Sequence, residues 1–112
     1  MITKAPSSQP GLVRVTFELP ESVSAEQVSL VGDFNGWDAR ATPLHREGEG
    51  ANWLVVVELK AGCRHRFRYL IDGQQWLNDW YADDQVRNPY GSFDSVLDLT
   101  AVARGTAAAG RL

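Results

Sequence analysis

Residues 12–19 alternate with a period of two. Val13, Val15, Phe17 and Leu19 fall on one side, and Arg14, Thr16 and Glu18 on the other. A strand with one face on a core and the other in water has this pattern; a helix, with its period of 3.6, does not. The same alternation returns in Asn52–Leu59, where Trp53, Val55, Val57 and Leu59 share a face. It returns again in Arg64–Ile71, where His65, Phe67, Tyr69 and Ile71 alternate with Arg64, Arg66, Arg68 and Leu70. Shorter runs at Gln27–Val31, Gln75–Leu77 and Ser95–Leu99 complete the set. Pro20-Glu21-Ser22, Glu47-Gly48-Glu49-Gly50, Lys60-Ala61-Gly62 and the hairpin signal Asp72-Gly73 turn the chain between them. Residues 38–45 and 78–94 carry little periodicity and read as irregular. No amphipathic helix longer than two turns is visible. Six to eight short antiparallel strands can bury their apolar faces only against one another, so the expected fold is an all-β, immunoglobulin-like sandwich.

The chain of 112 residues has the size of one domain, and its 44% apolar content is ordinary for a globular protein. The expected organisation is a flexible segment over residues 1–10, the sandwich over 11–100 and a flexible tail over 101–112. A net charge of −3 argues against nucleic acid or an anionic membrane as partner, because both demand a sustained basic surface. Cys63 is the single cysteine, so no disulfide can form within the chain. The N-terminus lacks the apolar stretch of a signal peptide, and no apolar run approaches the roughly 20 residues that span a bilayer. A cytoplasmic setting is the expectation.

Trp37 follows Gly32-Asp33-Phe34-Asn35-Gly36, and Trp76 follows Asp72-Gly73-Gln74-Gln75. A tryptophan placed after a turn is less easily buried than one in mid-strand. Its apolar, electron-rich face suits the C–H face of a sugar ring. Trp53, in phase with Val55 and Val57, reads instead as core, and Phe34 as the core anchor of the first loop. Arg68 projects opposite the core face, where a guanidinium can donate paired hydrogen bonds to hydroxyls. Arg64 and Arg66 read as a solvated stripe.

Other groups point less far. Asn78, Asp79, Trp80, Asp83 and Asp84 form a polar loop whose three carboxylates invite calcium, but the spacing matches no calcium-binding loop and Asp is common in turns. Asp94 can accept hydrogen bonds from a sugar or fix the turn after Gly91-Ser92. His45 and His65 have no partners at metal or triad spacing, and Ser92 sits in no nucleophile elbow. Asp33, Asp38, Asp72 and Asp79 supply carboxylates, yet nothing in the pattern builds the deep groove of a glycosidase. No cofactor, metal or catalytic residue is expected.

Three segments taken together resemble the family-48 carbohydrate-binding modules: Val28-Ser-Leu-Val-Gly-Asp-Phe-Asn-Gly-Trp37; Phe67-Arg-Tyr-Leu-Ile-Asp-Gly73 with Trp76; and Asn88-Pro-Tyr-Gly-Ser-Phe-Asp94. That family includes the glycogen-binding domain of the AMP-activated protein kinase β subunit and the N-terminal early-set domains of isoamylases and branching enzymes. The resemblance runs from about Leu12 to Leu99. It implies an early-set sandwich that binds α-1,4-glucans such as glycogen, starch or maltooligosaccharides, without catalysis. It puts the two stacking rings on Trp37 and Trp76 and the basic residue on Arg68. Tyr90, Ser92 and Asp94 fall where the kinase module has leucine, threonine and asparagine. A second expectation keeps the fold and changes the ligand. The domain would dock on a glycogen-metabolism enzyme or kinase through Trp53, Trp80 or Tyr81, with little sugar binding.

Overall fold

β2 (Leu12–Leu19) follows the sequence alternation residue by residue, with Val13, Val15, Phe17 and Leu19 buried. The computed structural model describes residues 1–101, so the expected tail over 101–112 lies outside the described residues but for Ala101. β4 (Trp53–Lys60) runs antiparallel to β2 along its whole length, Leu19 opposite Trp53 and Val13 opposite Leu59. The apolar residues of both strands therefore share one face, the arrangement in which cross-strand pairs stabilise a sheet.

β1 (Ile2–Pro6) completes this three-stranded sheet on the other edge of β2, with Ile2 opposite Phe17 and Pro6 opposite Val13. The segment expected to be flexible over residues 1–10 is thus partly a strand. Its five residues, Ile-Thr-Lys-Ala-Pro, are too few and too mixed to leave a periodic signal, and the backbone ladder to β2 makes them a strand. The Met1 amino group adds a bond to the Glu18 carbonyl at 2.6 Å. Pro6 closes an edge strand, where a missing N–H is tolerated.

The second sheet contains β3 (Val28–Gly32), β5 (Arg64–Ile71), β6 (Gln75–Leu77), β7 (Asp84–Arg87) and β8 (Phe93–Asp98). β7 lies inside the stretch expected to be irregular. Val86 is its only apolar residue, and pairing with β8, Asp84 opposite Val96 and Arg87 opposite Phe93, makes it a strand. The same pairing draws β8 back to Phe93, two residues before its expected start. Residues 38–45 carry no strand. They bridge the sheets instead, with Pro43 paired to Ser29 and His45 to Leu54.

The sheets close face to face over a core in which Phe67 meets Phe17 edge-on at 5.1 Å between centroids and Tyr69 at 5.7 Å. Each such pair adds about 1 kcal/mol beyond area burial. Together these features make an all-β, immunoglobulin-like sandwich.

β5 is the organising strand. β3 covers one of its edges; the other is shared, β8 pairing as far as Phe67 and β6 from Tyr69 onward. Outward-facing residues of β5, β6 and β8 therefore meet on one surface near Arg66 and Arg68.

Candidate ligand-binding site

The loop after β3 is built so that one ring is held out of the core. Gly32 has no room for a side chain, since a Cβ there would sit 2.6 Å from the Arg66 carbonyl and 2.6 Å from the Phe34 ring. Asp33 accepts the Arg66 N–H at 3.1 Å. Phe34 turns inward to stack on Phe17 and to meet His65 edge-on. The Asn35 amide accepts from the Gly32 N–H and donates to the Leu30 carbonyl and the Thr42 hydroxyl, closing the 3₁₀ turn Asp33–Asn35. Gly36 and Trp37 both take positive φ, 69° and 59°. For tryptophan that is a strained backbone, held by the bond from its N–H to the Gly32 carbonyl at 2.8 Å. Trp37 emerges 41% exposed.

Trp76 reaches the same surface from β6. Asp72 and Gly73 at positive φ make the turn, and the Asp72 carboxylate accepts the backbone N–H groups of Glu26 and Gln27. The register sets Trp76 opposite Leu70 and diagonal to Arg68. Arg68 lays its guanidinium carbon 5.4 Å from the Trp76 ring centroid and donates Nε–H to Asn78 at 2.8 Å. Asn78 also donates to the Phe93 carbonyl, pinning the point where β6 takes over from β8. Trp76 is 44% exposed.

The third wall is the turn between β7 and β8. Buried Asn88 accepts the N–H groups of Tyr90 and Ser92 and donates from its amide to Asp94 at 3.0 Å. Tyr90 is left 91% exposed. Asp94, buried in the floor, also lies 3.7 Å from the Arg66 guanidinium.

Trp37, Arg68, Trp76, Tyr90, Ser92 and Asp94, from four separate parts of the sequence, line one open hollow of about 810 Å³. Its volume lies in the range of ordinary small-molecule clefts. Asp33, Arg66, Asn88 and Pro89 complete the lining. Two half-exposed indoles over guanidinium, hydroxyl and amide groups can grip a ligand with flat apolar faces and a polar rim. Arg64 and Arg66 are both exposed beside carboxylates, as expected of a solvated stripe: Arg64 pairs with Asp84 and Asp98, and Arg66, near Asp94, also lines the hollow.

Residues 14–91, more than half of the chain, match the model of carbohydrate-binding module 48, the isoamylase N-terminal domain. The chain belongs to this family. Relatives of this family-48 module are 1,4-alpha-glucan branching enzymes. That of Myxococcus xanthus is 37% identical over 76% of this chain, and that of Paramagnetospirillum magneticum is 36% identical over 81%. That of Chlamydia trachomatis is 34% identical over 62%. The chain spans 12% of the length of the first two relatives and 8% of the third.

Several features of the module were not visible in its sequence. Asn88 organises a whole wall, and the Asn-Pro pair was its only signal. The carboxylates considered for calcium point apart. Asp79 accepts from the buried Tyr69 hydroxyl at 2.7 Å, Asp83 pairs with Lys4, and Asp84 with Arg64. Burial and the Asp79 charge push the Tyr69 phenol far above its ordinary range. Trp53, one of three anchors in the protein-docking expectation, is buried, donates its indole N–H to Val23 and is capped by Arg46. A second hollow, beside Arg40, Leu44 and Trp53, therefore offers no free indole face. His65 donates to the Lys60 carbonyl at 2.9 Å and sits 3.8 Å from Asp33, bracing the Trp37 loop from below. Among the described residues no helix is long and apolar enough to cross a membrane.

Proposed function

We propose that the hollow binds an α-1,4-linked glucan and that the domain acts as a non-catalytic module holding glycogen, starch or maltooligosaccharide. The observation that carries this reading is the presence of Trp37, Trp76 and Arg68 in one hollow. Each ring takes the C–H face of a glucose unit, and the guanidinium groups donate to hydroxyls at the rim. Tyr90 closes over the ligand from the side, and Ser92 supplies a hydroxyl. Asp94, held by Asn88, acts from the floor by fixing Arg66 and the turn. Cleavage of a glycosidic bond would need two opposed carboxyl groups free to work on it. Asp33 and Asp94 are both tied into the hydrogen bonds of the walls.

Affinity for one short chain is on the order of 10 μM to 1 mM, because an open platform makes few contacts and ordering the ligand costs entropy. The relatives are branching enzymes many times longer than this chain. That favours a role in bringing a cytoplasmic glycogen-metabolism enzyme to its polymer. Titration with maltoheptaose followed by tryptophan fluorescence, with cellohexaose as control, tests the reading. A saturable change confined to the α-linked series is the expected result, and no change with either sugar rejects it.

A further inference from the structure

Trp80 and Tyr81 are 80% and 75% exposed, and neither lines the hollow. An indole left in water forgoes on the order of 2 kcal/mol of apolar burial. The backbone beneath them is nonetheless anchored through Asp79. Buried Asp79 donates its N–H to the Ser95 hydroxyl at 2.9 Å, and its side chain accepts from the Tyr69 hydroxyl and from the Tyr81 N–H. Its carbonyl accepts from the Gln85 amide at 2.8 Å, and the Ser95 hydroxyl passes on to Gln85. A turn anchored through Asp79 and the Tyr81 N–H holds the backbone of its two rings in place before binding, which lowers the ordering cost of a recognition surface.

The surroundings select the ligand. The rings stand in a mainly polar run, Asn78-Asp79 before them and Asp83-Asp84-Gln85 after Ala82, and the neighbouring Leu77 and Ala82 pack against the core. Two rings fall far short of the roughly 800 Å² per partner that a stable protein interface covers. The acidic neighbours disfavour an anion. A neutral pyranose ring, apolar on its face, fits the flat aromatics and meets no charge conflict there. We infer that the Trp80–Tyr81 turn is a second platform for the α-glucan, separate from the hollow. This rests on reading the hollow as an α-glucan site. Trp80 is only two residues from Asn78, whose side chain bonds Arg68 in the hollow, so its backbone lies within about 7 Å of the Asn78 backbone. One long or branched glucan can then engage both platforms, and the second contact becomes intramolecular.

The four indole N–H resonances of the full chain, assigned by single Trp→Phe variants, can be followed during maltoheptaose titration. The Trp80 signal is expected to shift saturably, with a midpoint about tenfold weaker than those of Trp37 and Trp76. Trp80→Ala should weaken retention on glycogen about tenfold while leaving the maltoheptaose midpoint at Trp37 unchanged. A stationary Trp80 signal beside moving Trp37 and Trp76 signals overturns the second platform and spares the hollow. If all four stay still, both readings fall. A Trp80 shift that tracks protein concentration without sugar, or one equal with cellohexaose, also overturns the platform, in favour of self-association or generic contact.

Discussion

The guanidinium carbon of Arg68 lies 5.4 Å from the Trp76 ring centroid while its Nε–H is held by Asn78 at 2.8 Å. The amide holds the guanidinium over the indole, and the cation–ring attraction at a half-exposed site is about 1 kcal/mol. Arg68→Lys keeps the charge but loses the planar fork. We expect it to weaken maltoheptaose binding about fivefold by calorimetry, and Arg68→Ala to weaken it more than tenfold. Unchanged affinity in Arg68→Ala would remove Arg68 from the site.

The four tryptophans should divide by burial. Trp37→Ala and Trp76→Ala should each lower maltoheptaose affinity at least tenfold while costing no more than about 1 kcal/mol of stability, since both rings are already half in water. Trp53 is only 5% exposed and donates its indole N–H to Val23. Trp53→Ala should cost about 3–5 kcal/mol in urea denaturation. Collapse of the fold in the Trp37 or Trp76 variant would show those rings to be core.

Gly32 sits at extended φ, so its need is one of space rather than of backbone angle. Gly32→Ala drives a methyl group into the Arg66 carbonyl and the Phe34 ring. It should destabilise by about 1–3 kcal/mol and weaken sugar binding as well, because the Trp37 loop moves with Phe34. Wild-type stability in this variant would contradict the tight approach of β3 to β5.

Tyr69 carries a pH signature. Burial, the charge of Asp79 and their hydrogen bond all raise its phenol above the unfolded value of about 10. The folded state keeps the proton that the unfolded chain loses, so this stabilisation is present below pH 10 and declines as pH rises beyond it. The slope is up to about 1.4 kcal/mol per pH unit. Tyr69→Phe should lack that slope, so the stability difference between the two proteins should change with pH above 10. At neutral pH it should cost about 1–3 kcal/mol, because the Asp79 carboxylate loses its buried donor. Parallel stability curves above pH 10 would refute the assignment.

Legibility tracked the kind of signal that each element carries. The inward and outward faces of β2, β4 and β5 were readable because burial of one face imposes a period of two on the residues themselves. Trp53 was separable from Trp37 and Trp76 by the same reasoning, one in phase with a strand and two beyond turns. β1 and β7 were invisible because backbone pairing makes them strands, and a ladder leaves no mark on side-chain type. Arg64 and Arg66 are chemically identical neighbours on one face of β5. Only Arg66 also lines the hollow, because β8 sets Asp94 beside it and Asp98 beside Arg64.

From local chemistry alone the chain determined the alternating strands β2, β4 and β5, its turns at Gly36 and Asp72-Gly73, and the exposure of two indoles, since φ restrictions and apolar periodicity act within a few residues. Only the tertiary structure decided that Trp37, Arg68, Trp76 and the Asn88–Asp94 turn would share one hollow, and that Asp79 would bond Tyr69 rather than stand in a loop of carboxylates. Those outcomes depend on β5 giving one edge to β3 and dividing the other between β8 and β6. That choice of neighbours is made by long-range pairing and by closure of the two sheets over a common core, and no residue encodes it by itself.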